Sequence, residues 1–91
     1  MAKVQIAFSE DGNVTGNAGC NTFRGSYEAN GDRIAIGPLV TTRMMCAEDV
    51  MAVEKAFLQG MARASRYQIE EGRLSLMDEA GVILLIFLPA P

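Results

Sequence analysis

The sequence predicts an α+β fold: an antiparallel sheet, strongly curled or closed around its core, of about seven short strands packed with one helix at about residues 48–63. Three observations carry this prediction. Polar and apolar residues alternate through most of the chain, as they do in half-buried strands. Glycine-containing turn pairs break the alternation at short intervals. The apolar period lengthens only once, after Ala47, to that of an amphipathic helix.

Each element has its own justification. Lys3–Phe8 places Val4, Ile6 and Phe8 on one face, and Asp11-Gly12 turns the chain into a return strand over Asn13–Gly16. A glycine-rich bend follows. Thr22–Ala29 then alternates with Phe23, Gly25 and Tyr27 on one face, and Asn30-Gly31 supplies a hairpin turn because both residues tolerate positive φ. Arg33–Gly37 returns with Ile34 and Ile36 inward, and Pro38 ends the ladder or marks an edge. From Glu48 to about Arg63 the apolar stripe is Val50, Val53, Phe57, Leu58 and Met61. Glu48 and Asp49 suit the positive end of the helix dipole, and Gly60 leaves room for close approach of the sheet. Arg66–Glu70, Arg73–Met77 and Val82–Leu88 are the closing strands, joined by Glu71-Gly72 and by Asp78–Gly81.

Composition bounds the function. At 91 residues the chain is read as one domain over 1–91, able to fold alone but helped by a staple or a partner. A net charge of −3 with scattered Lys and Arg argues against nucleic acid as a partner. Histidine is absent, which removes Ser–His–Asp and Cys–His catalysis, His-ligated zinc and imidazole proton transfer together. The longest apolar run, Val82–Leu88, falls far short of the ~20 residues that cross a bilayer, so no transmembrane segment is expected. Met1-Ala2-Lys3 leads directly into a strand, so no signal peptide is read here; a chain trimmed of its export signal would look the same.

The segment Gly19-Cys20-Asn21-Thr22-Phe23-x-Gly25-x-Tyr27 resembles the META domain, the HslJ-type heat-shock protein family. Thr41-Thr42-Arg43-Met44-Met45-Cys46 is similar to that family's second block, as are the helix with Glu54 and Phe57 and the tail from Tyr67 to Gly81. The resemblance implies a curled antiparallel sheet with one helix, an open or cracked barrel similar to that of secretin pilot proteins. It implies a bacterial protein of the periplasm or cell envelope, lipoprotein-like and stress-linked, of undefined biochemical activity. The family's usual additional first strand, ahead of the segment equivalent to Lys3–Phe8, has no counterpart here. The expected consequence is an unpaired sheet edge.

Cys20 and Cys46 stand in neither a CxxC nor a zinc-ribbon spacing. An even count and an export-biased family favour a disulfide; two buried free thiols acting as small apolar residues are the alternative. Glu54 falls within the apolar stripe, where a carboxylate must be hydrogen-bonded or paired. One reading has it accept hydrogen bonds from Asn21, Thr42 or Arg43, forming a clasp between helix and sheet. The other has it reach solvent beside Lys55. Met44, Met45 and Cys46 raise Cu(I) binding, but neighbouring side chains on an extended segment point apart. Core packing is the preferred reading, and no metal site or cofactor is expected.

Ile83, Leu84, Leu85, Ile86, Phe87 and Leu88 are apolar on both faces of their strand. Both faces then need cover, from the helix, from a hydrophobic ligand or from a second copy of the chain. The functional expectation is a non-enzymatic, envelope-associated structural or protein-interaction module, with a protein partner or homodimer formed through the open sheet edge. The alternative is a carrier of a small hydrophobic ligand or lipid tail in a cleft between helix and sheet.

Overall fold

A computed structural model describes residues 4–89. The strands are β1 (Gln5–Phe8), β2 (Asn13–Asn17), β3 (Thr22–Asn30), β4 (Arg33–Ile36), β5 (Val40–Thr41), β6 (Arg66–Glu70), β7 (Arg73–Met77) and β8 (Ile83–Phe87). The helix α1 (Glu48–Arg63) separates β5 from β6. The architecture is α+β, with the helix against an eight-stranded antiparallel sheet.

The strands join in the order β1-β2-β3-β4-β6-β7-β8, with β5 added to β3 off this path. The long strand β3 belongs to both halves of the sheet. Its first part pairs with β2 and β5, and its second part, Tyr27–Asn30, pairs with β4. Two hairpins show turn chemistry at work. Asn30 forms the last rung of β3 with Arg33, so the turn itself is Gly31-Asp32, one position beyond the Asn-Gly pair that signals it. Glu71 and Gly72 both have positive φ, 52° and 79°, as a two-residue turn matched to the twist of its strands requires.

The curled or closed sheet predicted from the sequence is not formed. The sheet is open, ending on β1 at one side and β8 at the other. The strand count also rises from about seven to eight, because Val40-Thr41 is too short to show alternation. The physical reason for the first difference is that alternation reports which face of each strand is buried. It carries no information on whether the outermost strands meet. Here α1 covers the centre of the apolar face, so the outermost strands need not meet to bury the core.

The core comprises Val14, Ala18, Phe23, Ile34, Phe57, Met61, Ala64 and Leu76. Phe57 is its centre. Its ring lies 5.3 Å from that of Phe23 on β3 and 6.0 Å from that of Phe87 on β8, so one helical side chain joins an interior strand to an edge strand. One turn further along, Gly60 lets β8 approach. A Cβ built there would sit 2.9 Å from both Cγ and Cδ1 of Leu85.

Gly60→Ala is therefore expected to destabilise by about 1 kcal/mol, since overpacking of about 1–3 kcal/mol exceeds the helix-propensity gain of about 1 kcal/mol. Combining it with Leu85→Val should recover most of that loss in thermal melts.

Candidate functional site

Two features have the character of sites. They share α1, one on each side of it. The first is a polar cluster between the helix and the bend that joins β2 to β3. Glu54 is 5% exposed. Its Oε1 accepts the backbone N–H groups of Cys20 (3.1 Å) and Asn21 (2.6 Å), and its Oε2 accepts the Asn21 Nδ2–H (2.8 Å). Gly19, at φ 129°, turns the chain so that these two consecutive amides face the helix.

Asn21 extends the cluster. Its Nδ2 also donates to the Met44 carbonyl, and its Oδ1 accepts from the Thr42 hydroxyl at 2.8 Å and the Met44 N–H at 2.6 Å. The Thr42 Oγ1 in turn accepts the Thr22 N–H. A disulfide joins Cys20 to Cys46 with a Cα–Cα distance of 6.0 Å, fastening the same bend to the chain just before α1. Arg43 contributes no hydrogen bond or ion pair among the described residues.

Burial is the largest influence on Glu54 and pushes its carboxyl pKa up. The three hydrogen bonds, from the Asn21 side chain, the Asn21 backbone and the Cys20 backbone, together outweigh it, so the pKa lies below the ordinary 4.5. The group is held as a carboxylate by neutral donors alone; neither described ion pair, Arg33–Glu79 or Arg63–Asp78, includes it. This chemistry fixes a position. A proton-transfer role would need an accessible reacting partner, and the donors here already occupy both oxygens.

The expectation of core packing for Met44 and Met45 fails, because they are 58% and 86% exposed. Their segment is held by its backbone, through the two Met44 hydrogen bonds to Asn21, and that leaves the side chains outward. Cys46 is committed to the disulfide and offers no thiolate to Cu(I). Among the described residues, no group of three or more His, Cys, Asp or Glu side chains is placed to hold a metal ion.

The second feature is an apolar groove of about 890 Å3 bordered by the two edge strands. Val4, Gln5, Ile6 and Ala7 form one wall, and Leu85, Ile86, Phe87, Leu88 and Pro89 form the other. Val53, Ala56 and Phe57 of α1 and Thr15 and Gly16 of β2 complete the lining, which holds no charged side chain. Leu85 and Phe87 turn toward the core, while Ile83, Ile86 and Leu88 remain more than half exposed. Leu84 is half-buried and, like Ile83, stands outside the groove. The helix therefore covers only part of this doubly apolar strand.

Sequence reasoning expected an open edge beside Lys3–Phe8 but named neither the β1 side chains that line the groove nor the role of Val53. Val53 fits the helical stripe by spacing, yet it is 43% exposed and faces the groove. The lack of any charge in Gln5–Phe8 was the available signal.

The META domain model matches residues 1–90. The chain belongs to the META domain family. No curated protein matches the sequence. Two solved structures share its fold. One is the NMR structure of a protein from Burkholderia xenovorans, with a TM-score of 0.79 and 24% identity over 98% of this chain. The other is the crystal structure of a DUF4847 family protein from Bacteroides vulgatus, with a TM-score of 0.66 and 24% identity over 88% of this chain. The META chain spans 65% and 54% of the lengths of these two proteins. At this identity the likeness is one of fold.

Two outcomes follow from the polar cluster. Glu54→Gln should cost about 2–3 kcal/mol at neutral pH, because it removes a charged acceptor from buried donors. The folded pKa is depressed, so the carboxylate's contribution is full above the ordinary 4.5 and is lost as pH falls through the folded value. Urea unfolding from about pH 7 to about pH 3 should accordingly show the gap between wild type and Glu54→Gln closing only at the acid end. Replacing Cys20 and Cys46 together by Ser should lower stability by about 3–4 kcal/mol, measured by the same unfolding curves.

Proposed function

We propose that this META domain is a non-enzymatic interaction module of the bacterial periplasm or cell envelope, linked to stress, whose working surface is the groove between β1 and β8. The observation that carries this reading is the groove itself: an open, uncharged, apolar surface bordered by two strands that, among the described residues, lack a partner on one side. Apolar surface of this extent costs free energy in water and marks a place where something binds. The Cys20–Cys46 disulfide supports the compartment, since such bonds persist where the environment is oxidising. On this reading the Glu54 cluster and the disulfide serve as scaffold, holding α1 in place as one wall of the groove.

A second reading, a carrier of a small hydrophobic ligand or lipid tail, is favoured by one specific observation. The groove volume and its apolar lining fall within the range of small-molecule sites.

The test of the groove uses the dye anilinonaphthalenesulfonate on the folded protein. Fluorescence enhancement is expected at neutral pH, with its loss in Val53→Lys combined with Ile86→Lys. Both side chains are already largely exposed, so stability should change by no more than about 1 kcal/mol. Unaltered dye binding in that variant would remove the groove as the working surface. Native mass spectrometry of protein from its own host would then report any retained partner or lipid directly.

A further inference from the structure

The groove has a property that apolarity alone does not give it. Every ladder in the path β1-β2-β3-β4-β6-β7-β8 is antiparallel. Counted through that path, strand direction alternates six times, so β1 and β8 run the same way. Paired directly, they would make a parallel rung in an otherwise antiparallel sheet. A single strand laid between them in the opposite sense is antiparallel to both.

The groove-bordering stretches of the two edges also carry no charge to discourage strand addition. Natural edge strands carry charges, prolines or bulges that discourage pairing. β1, with the sequence Gln-Ile-Ala-Phe, and β8, with Ile-Leu-Leu-Ile-Phe, contain neither charge nor proline. The register of β8 shifts between the Leu76–Leu85 and Met77–Ile83 pairs, so Leu84 is bulged just before the groove wall begins, and Pro89 closes that wall; Leu85–Leu88 between them is unprotected. Each edge presents main-chain N–H and C=O groups that a hydrocarbon chain cannot satisfy and an extended polypeptide can.

We infer that the groove is an acceptor for one β-strand of a partner polypeptide, running antiparallel to both β1 and β8. The inference rests on the groove reading above and names the occupant. The walls, Val4–Ala7 and Leu85–Pro89, are 4 and 5 residues long, which matches a donor segment of about five residues. Its alternate side chains would face Val53, Ala56 and Phe57, so they must be apolar, while the other set faces solvent. A second copy of this chain is a poorer occupant. Its described strands are all engaged in its own sheet, and edge-to-edge pairing of two copies would use one edge and leave the groove unfilled.

The test fuses an alternating Thr-Val strand ahead of Met1 through a flexible linker containing Asn-Gly, which presents the strand at high effective concentration. The unfused protein with the free peptide, and the unfused protein with dodecanoate, form parallel arms. The expected result is loss of dye binding together with slowing, by about tenfold or more, of amide exchange at the groove-facing positions of both β1 and β8. The same fusion with a central proline should do neither. Protection of only one edge overturns the inference in favour of simple edge pairing. Displacement of dye by dodecanoate, with no protection by fusion or peptide, overturns it while leaving the groove as an apolar site. Absence of dye binding to the unfused protein removes both readings. A stable dimer with both edges protected before any strand is added assigns the groove to a second copy and overturns the inference.

Discussion

A carboxylate withdrawn from water must find hydrogen-bond donors or give up its charge, and the position of α1 depends on how Glu54 meets that demand. Its three donors all come from Cys20 and Asn21, in the bend between β2 and β3. The helix is thereby set against one short piece of backbone, in one rotation about its own axis. Phe57 lies one turn along and falls between Phe23 and Phe87; Gly60 follows and receives Leu85. Displacing the carboxylate would move each of these contacts. The disulfide acts on the same bend from the other side, limiting how far the chain before α1 can stray when the hydrogen bonds break.

The same arrangement explains why apolar surface remains uncovered. One helix is narrower than the sheet beneath it. With its contacts concentrated on β7 and β8, and Phe57 alone reaching Phe23 on β3, it leaves the inner faces of β1 and of the end of β8 without cover. The cluster that fixes the helix thus also determines where the groove lies. Polar rigidity on one side of α1 and apolar vacancy on the other are two results of one placement.

Much of this was legible in the sequence, and the parts that were not share a cause. Val14, Phe23, Ile34 and Leu76 follow from alternation, because a strand with one buried face writes its burial into every second residue. The helix at Glu48–Arg63 follows from its period and its acidic first turn. Glu54 and Asn21 could be singled out because buried polar groups need partners, yet the sequence named the donors only by type. Arg43 was grouped with them and makes no such bond, while the backbone amide of Cys20, invisible to side-chain reasoning, does. Openness of the sheet, the exposure of Met44 and Met45 and the outward tilt of Val53 depend on how whole elements meet. Local periodicity holds no record of that.

The join between β4 and β6 is narrow: a single rung, Arg33 opposite Arg66, flanked by hydrogen bonds from Ile34 N–H to Ser65 O and from Tyr67 N–H to Asp32 O. Beside it, the Arg66 Nε is buried with no hydrogen-bond partner among the described residues. Few main-chain hydrogen bonds therefore hold the strands on the two sides of this join together. A rotation at that join would be magnified with distance from it, and the strands farthest along the path in either direction are β1 and β8. The angle set at Arg33 and Arg66 therefore bears directly on the spacing of the two groove walls.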